Sequence, residues 1–121
     1  MQLVFGERNI VRFSSDENLI EAVGYLANNR RGIRFDFESY DNKWGIEGRI
    51  WIRDASNAPI ELRNAFSAGT NIVESRLNCN EFIYYLINNF GFTRGSNNTY
   101  HSIRRNIPTR YLNDFDRGFN L

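Results

Sequence analysis

Apolar positions recur along this chain at two spacings, and the switches between them lay out its elements. Leu3, Phe5, Ile10, Val11 and Phe13 alternate loosely around Gly6, Glu7 and Arg8, which predicts two short strands joined as a hairpin. Ser14 and Glu17 stand at capping-box spacing, and Leu19, Ile20, Val23, Leu26 and Ala27 follow at helical spacing. A first helix is therefore expected over about residues 16–28, stopped by Asn28, Asn29 and Gly32. Residues 33–38 then alternate, with Ile33, Phe35 and Phe37 on one face and Arg34, Asp36 and Glu38 on the other. Turn chemistry fills 40–43, and residues 44–53 alternate again around Glu47 and Gly48. The two runs predict a hairpin over 33–53 that presents an edge, with a bulge or a close backbone approach at 47–48.

Residues 54–77 carry no single period; Ala58 and Pro59 mark a turn, 60–66 fits either a strand or a helix, and 68–70 is a break. A second capping signature, Asn78 with Glu81, precedes Phe82, Ile83, Tyr85, Leu86, Ile87 and Phe90 at helical spacing. Gly91 follows as the glycine expected beyond a helix end, so the second helix spans about 79–90. After a polar loop at 93–98, residues 100–106 read as a strand and 109–115 as a short C-terminal helix ended by Gly118. No repeat, linker or low-complexity tract interrupts the chain. The expected fold is one small α+β domain over 1–121, a mainly antiparallel sheet with two principal helices and a short closing one.

Composition adds to this picture in three places. At 121 residues with 41% hydrophobic content, the chain can bury a core without a metal or disulfide. Its single cysteine, Cys79, and single histidine, His101, leave no metal-ligand set and no expected cofactor. The opening residues lack a basic stretch followed by a long apolar one, and no apolar run approaches the roughly 20 residues of a membrane span. A cytoplasmic protein with no membrane partner is the expectation, delivery into another cell without a signal being the variant.

Charge is skewed in kind rather than in amount. Of 15 basic residues only Lys43 is lysine, and the formal net charge is +1. Guanidinium is planar, forks its donors toward carboxylate or phosphate, and stacks on rings; the chain also carries 18 aromatic residues. Residues 94–121 hold five arginines against Asp114 and Asp116, a balance of +3, whereas 1–93 hold ten basic and twelve acidic groups, a balance of −2. Most arginines before residue 94 are accordingly expected to be paired and solvated, and the informative ones to be Arg94, Arg104, Arg105 and Arg110.

Three function classes follow. Cys79 at a helix start, then His101, then Asp114 form an order that resembles papain-like thiol hydrolases and deamidases. The resemblance implies a thiolate activated by the helix start, a histidine base and an orienting acid. The second class is nucleic-acid binding or a nuclease, in which Arg94, Tyr100, His101, Arg104, Arg105 and Arg110 grip phosphate and stack on a base. The carboxylate pairs Asp36/Glu38 and Asp114/Asp116 are a weaker catalytic option and suit a solvated face better. The leading class is a small binding or inhibitor protein, of the toxin-immunity or phage anti-defence type, that acts by occupying a protein partner. Its anchors would be drawn from Arg, Tyr and Trp, including Trp44 and Trp51, which share a face only if 47–48 is a bulge. Scarce lysine also suits a toxin-like subunit that must avoid ubiquitination.

Overall fold

The computed structural model describes residues 3–5, 11–39, 46–68, 75–77 and 79–121. Trp44, the turn at 40–43, the Gly6 to Arg8 turn, Gly69, Thr70 and the Asn78 cap lie outside them.

The chain folds as an α+β domain. Strands β1 (Leu3–Phe5) and β2 (Val11–Phe13) pair antiparallel as expected, Leu3 opposite Phe13 and Phe5 opposite Val11. Helix α1 (Asp16–Leu26) is capped one residue later than the sequence suggests: Ser15 accepts from the Asn18 N–H at 3.1 Å. Ser14 is drawn away from the cap because its own N–H donates to Glu61 at 2.5 Å, and the Asn18 amide bridges Ser14 and Glu61. The buried stripe of α1 is Leu19, Ile20, Val23 and Leu26, the helical spacing of the sequence.

A 3-10 turn (Asn29–Arg31) and Gly32 at φ 71° lead into β3 (Arg34–Ser39), which pairs antiparallel with β4 (Ile46–Ile52). The register runs unbroken from Arg34↔Trp51 to Ser39↔Ile46, so 47–48 is no bulge. Gly48 is the close approach instead: a Cβ there would lie 2.3 Å from Asp36 O and 2.5 Å from Phe37 Cβ. The stretch without a clear period holds α2 (Ile60–Arg63), β5 (Ser67–Ala68) and β6 (Ser75–Leu77). Together β3-β4-β6-β5 form a four-stranded antiparallel sheet in that order. Phe35, Ile50 and Leu77 make a buried row across its inner face, which packs with Phe82, Ile83 and Leu86 of α3 (Asn80–Phe90) in one apolar cluster. Fully burying one such side chain contributes about 1.5–3 kcal/mol.

Two expectations for the C-terminal part are corrected. Residues 100–106 are not a strand; α4 (Tyr100–Arg104) begins at a capping box in which Thr99 and Ser102 exchange side-chain and backbone hydrogen bonds. Ile103 inside this helix and Ile107 just beyond it are both buried. Gly118 does not end the closing helix. After a 3-10 turn (Thr109–Tyr111), α5 (Leu112–Phe119) runs through it. Gly118 and Gly24 instead let α5 and α1 touch backbone to backbone: a Cβ on Gly118 would stand 1.8 Å from Glu21 O, and one on Gly24 2.0 Å from Phe115 O. Arg31 and Asn28, just past α1, donate to Phe119 O at 2.8 and 3.0 Å and so satisfy the far end of α5. Among the described residues no helix is long and apolar enough to cross a membrane.

Candidate functional site

The basic C-terminal segment is organised largely by its own acids. The Arg104 guanidinium meets Asp116 through two parallel bonds of 3.0 Å, and Tyr100 donates its hydroxyl to the same carboxylate at 2.6 Å. The Arg104 fork holds the Asp116 carboxyl below its ordinary range, and the bond to Asp116 pushes the Tyr100 hydroxyl up. Arg117 pairs with both Glu21 and Asp114. Arg110 lies over the Tyr111 ring, 4.8 Å from its centre. Arg94, His101 and Arg105 are exposed, His101 standing edge-on to Tyr100. The loop that carries Arg94 is built rather than loose. Asn98, 5% exposed, closes it with three hydrogen bonds to Thr93, and Gly95 exchanges two backbone bonds with Phe35 on the edge of β3.

Cys79, His101 and Asp114 occupy three separate surroundings. Cys79 caps the start of α3 at 2% exposure, and burial pushes its thiol up despite the backbone N–H of Phe82. The segment bearing His101 meets α3 at its other end, where Asn106 donates to Phe90 O; eleven helical residues span about 16 Å. Asp114 faces Arg117. No hydrogen bond joins any two of the three. A buried thiol with a raised pKa is a core residue in its chemistry, because the thiolate is the nucleophile.

The outer face of the four-stranded sheet is arranged differently. Side chains directly opposite on one face of an antiparallel pair lie about 4.5–5.5 Å apart, and the register sets Arg34, Trp51, Arg76 and Ser67 in one row across all four strands. Arg49, two residues before Trp51, projects to the same side. The Arg34 and Arg49 guanidiniums stand 5.7 and 5.8 Å from the centre of the half-buried Trp51 ring, within the range where a cation senses the ring face. Among the described residues none of Arg34, Arg49 and Arg76 has an ion-pair partner. Asp36 is set opposite Arg49 in the register without forming a salt bridge. Trp51 Nε1 and Arg76 Nε are buried donors with no acceptor among the described residues. Leaving such donors unpaired is costly.

Three guanidiniums and one indole thus share a surface that can engage carboxylates by forked hydrogen bonds and offer an aromatic plate between them. Of these four residues the sequence nominates only Trp51. Arg34 and Arg49 are legible as the polar side of the 33–53 hairpin, but Arg76 sits on a strand with no readable period. Their convergence depends on the β4–β6 register. Comparison of the chain with protein-family models, with curated proteins and with solved structures finds no match.

Proposed function

We propose that this chain is a small cytoplasmic binding protein that acts by occupying a protein partner, as an immunity or anti-defence inhibitor does, and that the outer face of its sheet makes the contact. The observation that supports this reading is the row Arg34–Trp51–Arg76 with Arg49 beside it, three cations without ion-pair partners among the described residues around one aromatic anchor. Trp and Arg are the residue types that dominate binding hot spots. The partner is expected to present carboxylates around an apolar or aromatic knob. A net charge of only +1 favours such a mixed surface over a nucleic-acid backbone, whose affinity rests on many cations. The register also sets Asp36 opposite Arg49, an acidic residue that a polyanion lying along the strands would meet.

Co-expression with the product of the neighbouring reading frame tests the reading. Relief of its toxicity by the wild-type chain, lost in Trp51→Ala and in Arg34→Glu/Arg49→Glu, is the expected result. Relief that survives both variants removes the sheet face from the mechanism, and no relief removes the inhibitor reading. Retention on single-stranded DNA that falls steeply with salt and vanishes in Arg34→Glu/Arg49→Glu would assign the same face to nucleic acid.

A further inference from the structure

A cleft of about 260 Å³ opens between the start of α1, the end of α3 and the connection from α4 to α5. It is smaller than the roughly 300–1,000 Å³ of pockets for drug-sized ligands, so it suits one side chain or one small molecule. Its walls include Asp16, Tyr85, Asn89, Phe90, Asn106 and Tyr111.

The side chains of Asp16, Asn89 and Asn106 on those walls each keep an acceptor oxygen. Asn89 donates its amide nitrogen to Tyr85 O at 3.0 Å, and Asn106 donates to Phe90 O at 2.9 Å and Ser102 O at 3.3 Å. A backbone carbonyl only accepts, so each amide must turn its nitrogen to the protein and is left with its oxygen as the free end. Tyr111 donates its hydroxyl to one Asp16 oxygen at 3.2 Å, which leaves the other oxygen as a further acceptor. Helix α3 ends at this cleft with no basic residue in its last turn, so no cation of its own offsets the negative end of its dipole there. Tyr85 and Phe90, edge to face at 5.6 Å, and Tyr111 supply ring surface beside these acceptors. Arg110 is the cation beside the cleft, held outside on the Tyr111 ring.

We propose that this cleft is a binding site for a guanidinium group, independent of the sheet face. Carboxylate and amide oxygens take its N–H donors, and the aromatic walls take its flat face. The group can come from an arginine side chain of a partner or from a small free guanidine.

The test is a titration of the full chain with methylguanidinium and with the capped tripeptide Gly-Arg-Gly, followed by NMR at the Asn89 and Asn106 side-chain amides. Saturable shifts at both amides are expected, with tighter binding of the tripeptide marking a protein arginine and tighter binding of methylguanidinium marking a free guanidine. Asp16→Asn should weaken binding about tenfold, the scale of one charge-assisted contact. Arg110→Gln, at an exposed position over the Tyr111 ring, should strengthen it about twofold to threefold by removing a competing cation. Absence of saturation, equal binding of tetramethylammonium, which has no N–H donors, or unchanged affinity in both variants overturns the proposal.

Discussion

The C-terminal part and the outer face of the sheet both carry several arginines, and they use them in opposite ways. In residues 94–121, where the local balance is +3, Arg104 and Arg117 are tied to Asp116, Glu21 and Asp114. On the sheet, inside the stretch whose balance is −2, Arg34, Arg49 and Arg76 have no ion-pair partner among the described residues. Net charge along the sequence therefore does not say which arginines are ion-paired. Pairing is decided by geometry and not by the local balance of charge: Asp36 stands opposite Arg49 on this same face without forming a salt bridge. Arg104 ties α4 to α5 and Arg117 ties α5 to α1, whereas Arg34, Arg49 and Arg76 make no such pair among the described residues.

The largest effect that tests this contrast lies at the helix crossing. Gly118→Ala should lower stability by about 3 kcal/mol, because its methyl would displace the Glu21 carbonyl and push α5 off α1. Urea unfolding reads it directly, and a change below about 1 kcal/mol would mean that the C-terminal unit is not what seats α1. Next in size, Asp116→Asn should cost about 1 kcal/mol, kept at that level by the partly exposed setting of the pair. The sign of its pH dependence is set by the depressed Asp116 carboxyl. The ion pair's contribution is complete above the ordinary value of 3.8 and is lost as pH falls through the lower folded-state value. Wild type and variant should thus converge in strong acid, and a gap that persists there breaks the assignment.

Thr99→Ala should cost a similar or slightly smaller amount, about 1 kcal/mol, through loss of the α4 cap, and circular dichroism during unfolding follows it. At the small end, Arg34→Ser/Arg49→Ser/Arg76→Ser should leave the melting temperature within about 2 °C of wild type, as surface changes do. A large drop would place these arginines with the structural ones and collapse the contrast.

The elements with a sustained period are legible in the chain alone. Helices α1 and α3 and the β3–β4 hairpin follow from apolar spacing, with Gly91 at φ 78° ending α3 as its position suggests. Features that no period carries escape such a reading. Helix α4 is a single short turn whose capping partner is Ser102 rather than the usual Glu or Gln, so its start signal is faint. Glycine is ambiguous by nature: Gly91 ends a helix through its backbone angle, while Gly118 lies inside one because it lacks a Cβ. The Arg104–Asp116 pair bridges twelve positions, and the arginine row joins three strands of which one has no readable period. Those are facts of register and packing, absent from any local window. Cys79 shows the reverse hazard, since the helix start that suggests a reactive thiol also delivers it into the core.

The seating of α1 has a consequence for how the molecule is made. Its glycine face waits for Gly118, and Asn28 waits for the Phe119 carbonyl 91 positions downstream. At about 5–20 residues per second a ribosome needs on the order of 5–20 s to deliver that stretch. Throughout that interval the face of α1 that carries Gly24 lacks the helix it packs on. The nascent chain is therefore an early client for any chaperone that holds amphipathic helices, and ribosome-stalled chains ending before α5 should be retained by such a holdase while those extended past Phe119 are released.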